Sequence, residues 1–312
     1  MDICCSKDVV HSYTNGGPVS IDIIAQNLYL GSLSAAKNIQ TLTSCKITHI
    51  LTIDTCPLPR HILELKHLTV KYVQLSDQPK EDLLSHFDNC ISFIEDGLAN
   101  GAVLVHCYFG VSRSASVIIA YIMKKHNLSY YEAFEKVKSK RSIVYPNQGF
   151  VSQLKLYKHM GYTVDVNNMK FKIFRLSVAA DKVRKAKILP KDYFDLIKAD
   201  PGITQIQPEP NVYRCKKCRR ILAAESNLLV HQDRSTKAHC NKTYFLEPLL
   251  WMDITQSMQG KLHCPKCKNK VGSFSWIMGC QCPCGSQVAP AFYLTPSKVD
   301  WTDVVKNVEV TI

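Results

Sequence analysis

The chain has no uninterrupted apolar run of about 18 residues, so it lacks the signature of a membrane-spanning helix. Met1 to Pro18 shows no basic segment leading into an apolar one, and no secretory leader is expected there. No long-period internal repeat is present, which argues against a solenoid or propeller. The chain is not short of apolar residues either. With 46% hydrophobic and 21% charged residues it reads as an ordinary globular protein of one large or two moderate domains.

What is present in excess is cysteine, with 14 residues in 312. Without a leader the expected setting is a reducing compartment, where disulfides are disfavoured. Six cysteines (4, 5, 45, 56, 90 and 107) are scattered over the first two thirds. The other eight (215, 218, 240, 264, 267, 280, 282 and 284) crowd into the end of the chain, two pairs with Cys-x2-Cys spacing. Scattered intracellular cysteines are usually small buried hydrophobes, whereas clustered pairs usually hold metal. The net charge of +13 suggests a polyanionic partner, with the last hundred residues as basic as the rest. Metal-bound thiolates would remove much of that local excess, so charge by itself is weak evidence for nucleic acid.

Residues 20–163 alternate strand-like and helix-like patterns. Asn27–Gly31 reads as a short strand and turn, and Ile47–Ile53, Val70–Leu75 and Ala102–His106 read as strands. Leu84, Phe87, Ile91, Ile94 and Leu98 give a helical stripe ended by Asn100-Gly101. Ala115–Met123 reads as a helix buried all round, and Ser129 to Glu132 as a capping box opening another. The expected class is α/β, a mostly parallel sheet flanked by helices. Residues 164–210, with a basic run at Lys182–Lys187 and four prolines, read as a connector with one helix near Lys191–Lys198. Residues 211–312 read as a small metal-binding domain, with Trp251, Phe274, Trp276 and Phe292 available for its core.

Between the strand ending at His106 and the buried helix lies Cys107-Tyr108-Phe109-Gly110-Val111-Ser112-Arg113-Ser114. A phosphate dianion needs several donors aimed at one spot, and a tight loop running into a helix N-terminus supplies amides and the positive end of the helix dipole. The amides of Tyr108, Phe109, Gly110, Val111, Ser112 and Arg113 are the candidate cradle. Gly110 is expected to permit a turn where a side chain would block the anion. Arg113 can grip two phosphate oxygens at once, which lysine cannot. The same field favours the thiolate of Cys107, the candidate nucleophile. The Ser114 hydroxyl can stabilise that thiolate when it departs.

The pattern His106-Cys107-x2-Gly110-x2-Arg113-Ser114 resembles the signature of the protein tyrosine phosphatase superfamily. Leu28-Tyr29-Leu30-Gly31-Ser32, Ala120-Tyr121-Ile122-Met123 and Pro146-Asn147-x-Gly149-Phe150 are similar to the dual-specificity branch. The cysteine-rich end, with Tyr213 to Arg219 and Cys264-Pro265-Lys266-Cys267, resembles the zinc-binding tail that some members of that branch carry. Lipid phosphatases of the superfamily usually carry lysines inside the loop, and this loop has none. RNA 5′-triphosphatases share the loop pattern and remain a minor alternative.

The resemblance implies hydrolysis of phosphotyrosine and phosphoserine or phosphothreonine in phosphoprotein substrates, through a phosphocysteine and with no cofactor in the chemistry. It implies a general acid about thirty residues upstream of the nucleophile. Asp77, after the strand Val70–Leu75, fits, with Asp82 as runner-up although its place at a helix start suits a cap equally well. It implies two structural zinc ions, one on Cys215, Cys218, His231 and Cys240, the other on Cys264, Cys267, Cys282 and Cys284, with Cys280 spare. It also implies association with assembling large ribosomal subunits, through protein or RNA, and residence in cytoplasm and nucleus, with no membrane partner. The competing reading makes the metal domain a binding module in which catalysis is secondary.

Overall fold

The computed structural model describes residues 13–14, 17–203 and 209–303. Cys4, Cys5 and Pro208 lie outside the described residues, as does most of the stretch before Pro18. The chain divides into two compact units, Met1–Asp165 and Val166–Ile312.

The first unit opens with a two-residue ladder, β1 (Tyr13–Thr14) against β2 (Gly17–Pro18). Its main sheet contains β3 (Ile21–Ala25), β4 (Leu28–Gly31), β5 (Ile47–Asp54), β6 (Thr69–Gln74) and β7 (Ala102–His106). The strand order is β3-β4-β7-β5-β6; β3 runs antiparallel to β4 and all other pairs are parallel. The central strand β7 is buried along its whole length, as its unbroken apolar run requires of a strand covered on both faces. Its even residues Ala102 and Leu104 join Ile47, Ile50, Leu42 and Ile62 in a cluster under the short helices α1 (Leu33–Lys37), α2 (Ile39–Ser44) and α3 (Arg60–Leu63). Its odd residues point the other way, where Val103 lies so close to Gly97 of α4 (Phe87–Asn100) that a Cβ there would sit 2.6 Å from it.

The chain leaves β7 through the Cys107 loop and enters α5 (Arg113–His126), in which every residue from Arg113 to Met123 is buried. That explains its lack of a polar face. Then follow α6 (Tyr130–Lys138) and α7 (Gln148–His159). The capping box is formed: Glu132 N donates to Ser129 Oγ at 3.3 Å and Ser129 N to Glu132 Oε2 at 2.7 Å.

The second unit begins with α8 (Met169–Ala186). Its Leu176, Ala179, Ala180 and Val183 are buried in one core with Phe245, Leu262, Phe274, Trp276 and Phe292. The reading of residues 164–210 as a connector is therefore corrected: the stretch contributes the longest helix of this core. The basic run was misread because it is the solvent side of that helix, where Arg184 and Lys185 reach back to the buried Asp181 at 3.6 and 2.9 Å. The helix expected near Lys191–Lys198 is a 3-10 turn, Lys191–Leu196. Two sheets and a ribbon complete the unit. One sheet has the order β16 (Val299–Asp303), β8 (Asn211–Cys215), β9 (Ile221–Ala224). The other is antiparallel, ordered β10 (Tyr244–Phe245), β15 (Ala291–Leu294), β12 (Lys270–Ser275), β11 (Gln259–His263). β13 (Cys280–Gln281) pairs with β14 (Gln287–Val288).

Candidate active site and metal centres

The loop from Cys107 to Ser112 is shaped by what its carbonyls do. Tyr108 O accepts from Leu33 N at 3.0 Å, Val111 O from Tyr145 N at 2.9 Å, and Ser112 O from Ser116 N at 2.8 Å. Phe109 O and Gly110 O are both taken by Arg141, from Nη2 at 3.0 Å and from Nε at 2.9 Å. With the oxygens tied outward, the amides turn to the inside of the loop. Among the described residues those of Tyr108, Phe109, Val111, Ser112 and Arg113 have no hydrogen-bond partner in the protein, and that of Gly110 donates to Cys107 Sγ at 3.2 Å. Such a concave set of free donors is an anion site.

Cys107 is 2% exposed, and its sulfur also receives the Ser114 hydroxyl at 3.1 Å. Gly110 has φ +71°, and a Cβ on it would meet the Gly31 carbonyl carbon and oxygen at 2.7 and 2.5 Å. Glycine is required there by the end of β4 rather than, as expected from sequence, by the anion itself.

Arg113 is the first residue of α5 and is 6% exposed. Its Nη1 donates to Asp54 Oδ1 at 2.7 Å and to Leu75 O at 3.1 Å. Its Nε makes no hydrogen bond and stands 3.9 Å from Asp77 Oδ2. Asp77 thus lies beside the loop with its side chain 37% exposed. Its Oδ1 accepts from Ser112 Oγ at 2.8 Å and from Asn147 Nδ2 at 2.7 Å. Asn147 also caps α7, accepting from Phe150 N at 3.0 Å, so one amide side chain ties the Asp77 loop to a helix start. Gly149 permits that approach, since a Cβ there would fall 1.8 Å from Pro79 O. Asp82 is engaged as a cap, accepting from Ser85 N at 3.0 Å and Ser85 Oγ at 2.6 Å.

In the second unit the eight metal-ligand candidates form two clusters, with all ligand atoms of each within 4.8 Å of one another. One holds Cys215, Cys218, Cys264 and Cys267; the other holds His231, Cys240, Cys282 and Cys284. The expected residues are all used, but the expected partition is corrected. Each site takes its ligands from sequence-distant segments. β8 delivers Cys215 and β11 delivers Cys264 to matching turns, in which Arg219 N bonds back to Cys215 O at 2.8 Å and Lys268 N to Cys264 O at 3.0 Å. Arg219 and Lys268, each next after the second cysteine, share the left-handed conformation, with φ 65° and 57°. His231 and Cys240 are set side by side by a bridge, Cys240 N to His231 O at 3.1 Å. Cys280 belongs to neither cluster.

The family description "Dual specificity phosphatase, catalytic domain" matches residues 28–160. The chain is 45% identical to "Dual specificity protein phosphatase MPK-4" of Drosophila melanogaster, over 96% of this chain and 92% of that protein. It belongs to the dual specificity protein phosphatases. It is also 37% identical to "Dual specificity protein phosphatase 12" of Mus musculus, over 89% of this chain and 87% of that one. Among solved structures it is similar to the Yvh1 phosphatase domain from Chaetomium thermophilum: 30% identity, 47% of this chain, 99% of that chain, TM-score 0.44.

As a dual specificity phosphatase the chain is a hydrolase of protein phosphoesters. Sequence reasoning missed three residues that shape its site: Asp54, Arg141 and Asn147. Arg141 is 2% exposed and holds Asp22 at 2.6 Å and Ser20 at 2.9 Å besides the loop carbonyls. The only signal for Asn147 was its place in the Pro146-Asn147-x-Gly149-Phe150 motif.

His106 of this phosphatase is fully buried, with Nε2 2.8 Å from Thr52 Oγ1 and Nδ1 3.3 Å from Cys107 O. Burial pushes its pKa down from 6.5 to about 4, against an opposing bond to the Cys107 backbone. The imidazole is neutral in the fold, while the unfolded chain binds a proton below pH 6.5. Stability is therefore full above pH 6.5 and lost as pH falls towards 4, by about 3 kcal/mol in all. Amide exchange at Val103–Val105 is expected to accelerate over that window, and less so in His106→Asn, which cannot take up the proton.

Proposed function

We propose that this phosphatase works through a phosphocysteine formed on Cys107. The observation that carries the reading is the loop geometry: a buried sulfur receiving two hydrogen bonds, inside a ring of amides whose carbonyls are all bound elsewhere. The phosphoryl oxygens of phosphotyrosine, phosphoserine or phosphothreonine occupy the amides and the free edge of Arg113. Cys107 Sγ attacks phosphorus, the P–O bond to the leaving group breaks, and Asp77 gives its proton to the departing oxygen. A water then attacks phosphorus, Asp77 takes its proton, and the P–S bond breaks. The sulfur leaves as a thiolate held by Ser114 Oγ and Gly110 N.

The test is the leaving group. Asp77→Asn is expected to slow hydrolysis of an alkyl phosphate by about 10²–10⁴-fold, and that of a nitrophenyl phosphate far less, because the latter's phenolate departs without a proton. If Asp82→Asn gives that pattern and Asp77→Asn does not, the acid has been misassigned. Acid-quenched protein should carry a phosphoryl adduct on Cys107.

The two clusters of the second unit are read as zinc sites. Within them Cys215 and Cys267 sulfurs are 3.7 Å apart, Cys218 and Cys264 3.5 Å, and Cys240 and Cys282 3.7 Å, too long for disulfides. A tetrahedron with Zn–S of about 2.3 Å has S···S edges of about 3.8 Å, and a Zn–N bond of about 2.0 Å shortens the N···S edge to about 3.5 Å. The His231 Nε2 to Cys284 Sγ separation is 3.5 Å. Four protein ligands fill each site, which suits a structural ion that ties strands together. Partner binding by this unit on assembling large ribosomal subunits, and residence in cytoplasm and nucleus, rest on family resemblance alone.

A further inference from the structure

We propose that Asp54 is a positioning residue of the phosphatase reaction, whose carboxylate decides which edge of the Arg113 guanidinium faces the bound phosphoryl group. The proposal rests on the phosphocysteine reading above and adds to it a residue that touches neither phosphate nor leaving group.

A guanidinium carries five N–H donors in a planar fork, and a phosphate needs one edge of that fork, two parallel N–H groups. An arginine free to turn about its last bonds presents its edges indifferently and loses the two-point grip. Here one corner is already spent. Nη1 donates to Asp54 Oδ1 at 2.7 Å and to Leu75 O at 3.1 Å. The edge left over is Nε with Nη2. Nε makes no protein hydrogen bond and stands on the side of Asp77 Oδ2, 3.9 Å away. The fork is thereby aimed at the side from which the acid would serve the leaving group.

The clamp is rigid for reasons of fold. Asp54 is the last residue of β5, inside the parallel sheet, and is 4% exposed. Its Oδ1 also accepts from Thr55 N at 2.8 Å and Thr55 Oγ1 at 3.4 Å, and its backbone oxygen from Leu75 N at 3.0 Å. Asp54 and Leu75 therefore form one platform at adjoining strand ends, and Asp77 begins two residues further along the same chain. Oδ2 is buried without a hydrogen-bond partner. A buried carboxylate with a bare oxygen is costly, and Arg113 is the one cation in ion-pair contact with it among the described residues. A charge placed this close to an oxyanion opposes its binding, so electrostatics alone would select against Asp54. Its benefit must come from geometry.

Two substitutions separate geometry from charge. Asp54→Asn keeps an oxygen at the same distance from the backbone and removes the charge. Asp54→Glu keeps the charge and moves the oxygen by one methylene. In the full chain, with melting temperature recorded for each variant, kcat and KM for an aryl phosphate and the inhibition constant of orthovanadate are measured. Asp54→Asn is expected to stay within about 10-fold of the unsubstituted protein in kcat/KM, with vanadate affinity held. Asp54→Glu is expected to lose about 100-fold, mostly in kcat, with vanadate weakened by a similar factor. The proposal is overturned if Asp54→Glu equals or exceeds Asp54→Asn in vanadate affinity. It is overturned equally if both variants bind vanadate more tightly than the parent, or if lost activity merely follows lost melting temperature. Failure of the phosphocysteine reading shows separately, as turnover that survives Cys107→Ser.

Discussion

Cys107→Ser is expected to lower hydrolysis of a small aryl phosphate by about 10⁴-fold or more while leaving the fold in place. The two side chains are nearly the same size, and on the phosphocysteine reading the nucleophile is the sulfur itself. The Gly110 amide and the Ser114 hydroxyl both point at it, at 3.2 and 3.1 Å. A serine hydroxyl in the same position carries its proton at neutral pH, and no described side chain beside it is placed to remove that proton. His106 points away, to Thr52. The amide ring and Arg113 remain, so the variant should still bind phosphate esters and orthovanadate and turn nothing over. Intact binding without turnover is the expected signature. Appreciable residual turnover would sink the phosphocysteine mechanism. Arg113→Lys should fail differently, losing affinity as well as rate, and stability with them. A lysine ammonium has no second donor edge, and it leaves the Asp54 carboxylate, 4% exposed, without its fork.

The nucleophile loop was legible because its logic is local. A strand, a turn and a helix follow one another without interruption from Ala102 to His126, and the residues carrying the chemistry lie within eight positions. The strands β4 to β7 and the helices α4 to α6 were legible for the same reason, each having one period or one cap. Asp54 was not, since nothing about an aspartate closing an apolar strand distinguishes an arginine clamp from a simple end of strand. Its meaning comes from a residue 59 positions away. Arg141 sits in Lys138-Ser139-Lys140-Arg141, a run that looks like solvated surface, and only the return of the chain past Ser20 and Asp22 buries it. In α8 the apolar stripe is short-sided, alanines and valines among many cations, so charge outweighed periodicity and a core helix was read as a link. The eight candidate metal ligands, read from Cys-x2-Cys spacing and resemblance, gather in two clusters, but neither signal carries information about which knuckle meets which.

That last point sets the prediction with the clearest numerical outcome. On the zinc reading each cluster holds one ion, two per chain, and the interleaved partition predicts which double substitutions are redundant. Cys215→Ser with Cys264→Ser removes two ligands from one site, so metal analysis should return one zinc. Cys264→Ser with Cys282→Ser strikes both sites and should return none. A partition by nearness in sequence predicts the reverse: none for the first pair and one for the second. Cys280→Ser should keep both ions, since that thiol lies outside both clusters. The structural consequence follows from what the clusters join. Cys215 ends β8 of the three-stranded sheet, and Cys264 directly follows β11 of the four-stranded one. Trp276, Phe292 and the α8 residues lie in the same core as Cys215, Cys264, Cys282 and Cys284, and their apolar contacts need no metal. Chelation is therefore expected to free the two Cys-x2-Cys turns and the His231–Cys240 hairpin first, and to lower the melting temperature of the unit, because four thiolates or imidazoles released together repel and seek water. Amide exchange should rise at Arg219, Lys268 and Cys240, whose bonds to Cys215, Cys264 and His231 close those turns, before it rises at Trp276. Two zinc ions surviving in the Cys215→Ser, Cys264→Ser chain would refute both the ligand set and the partition.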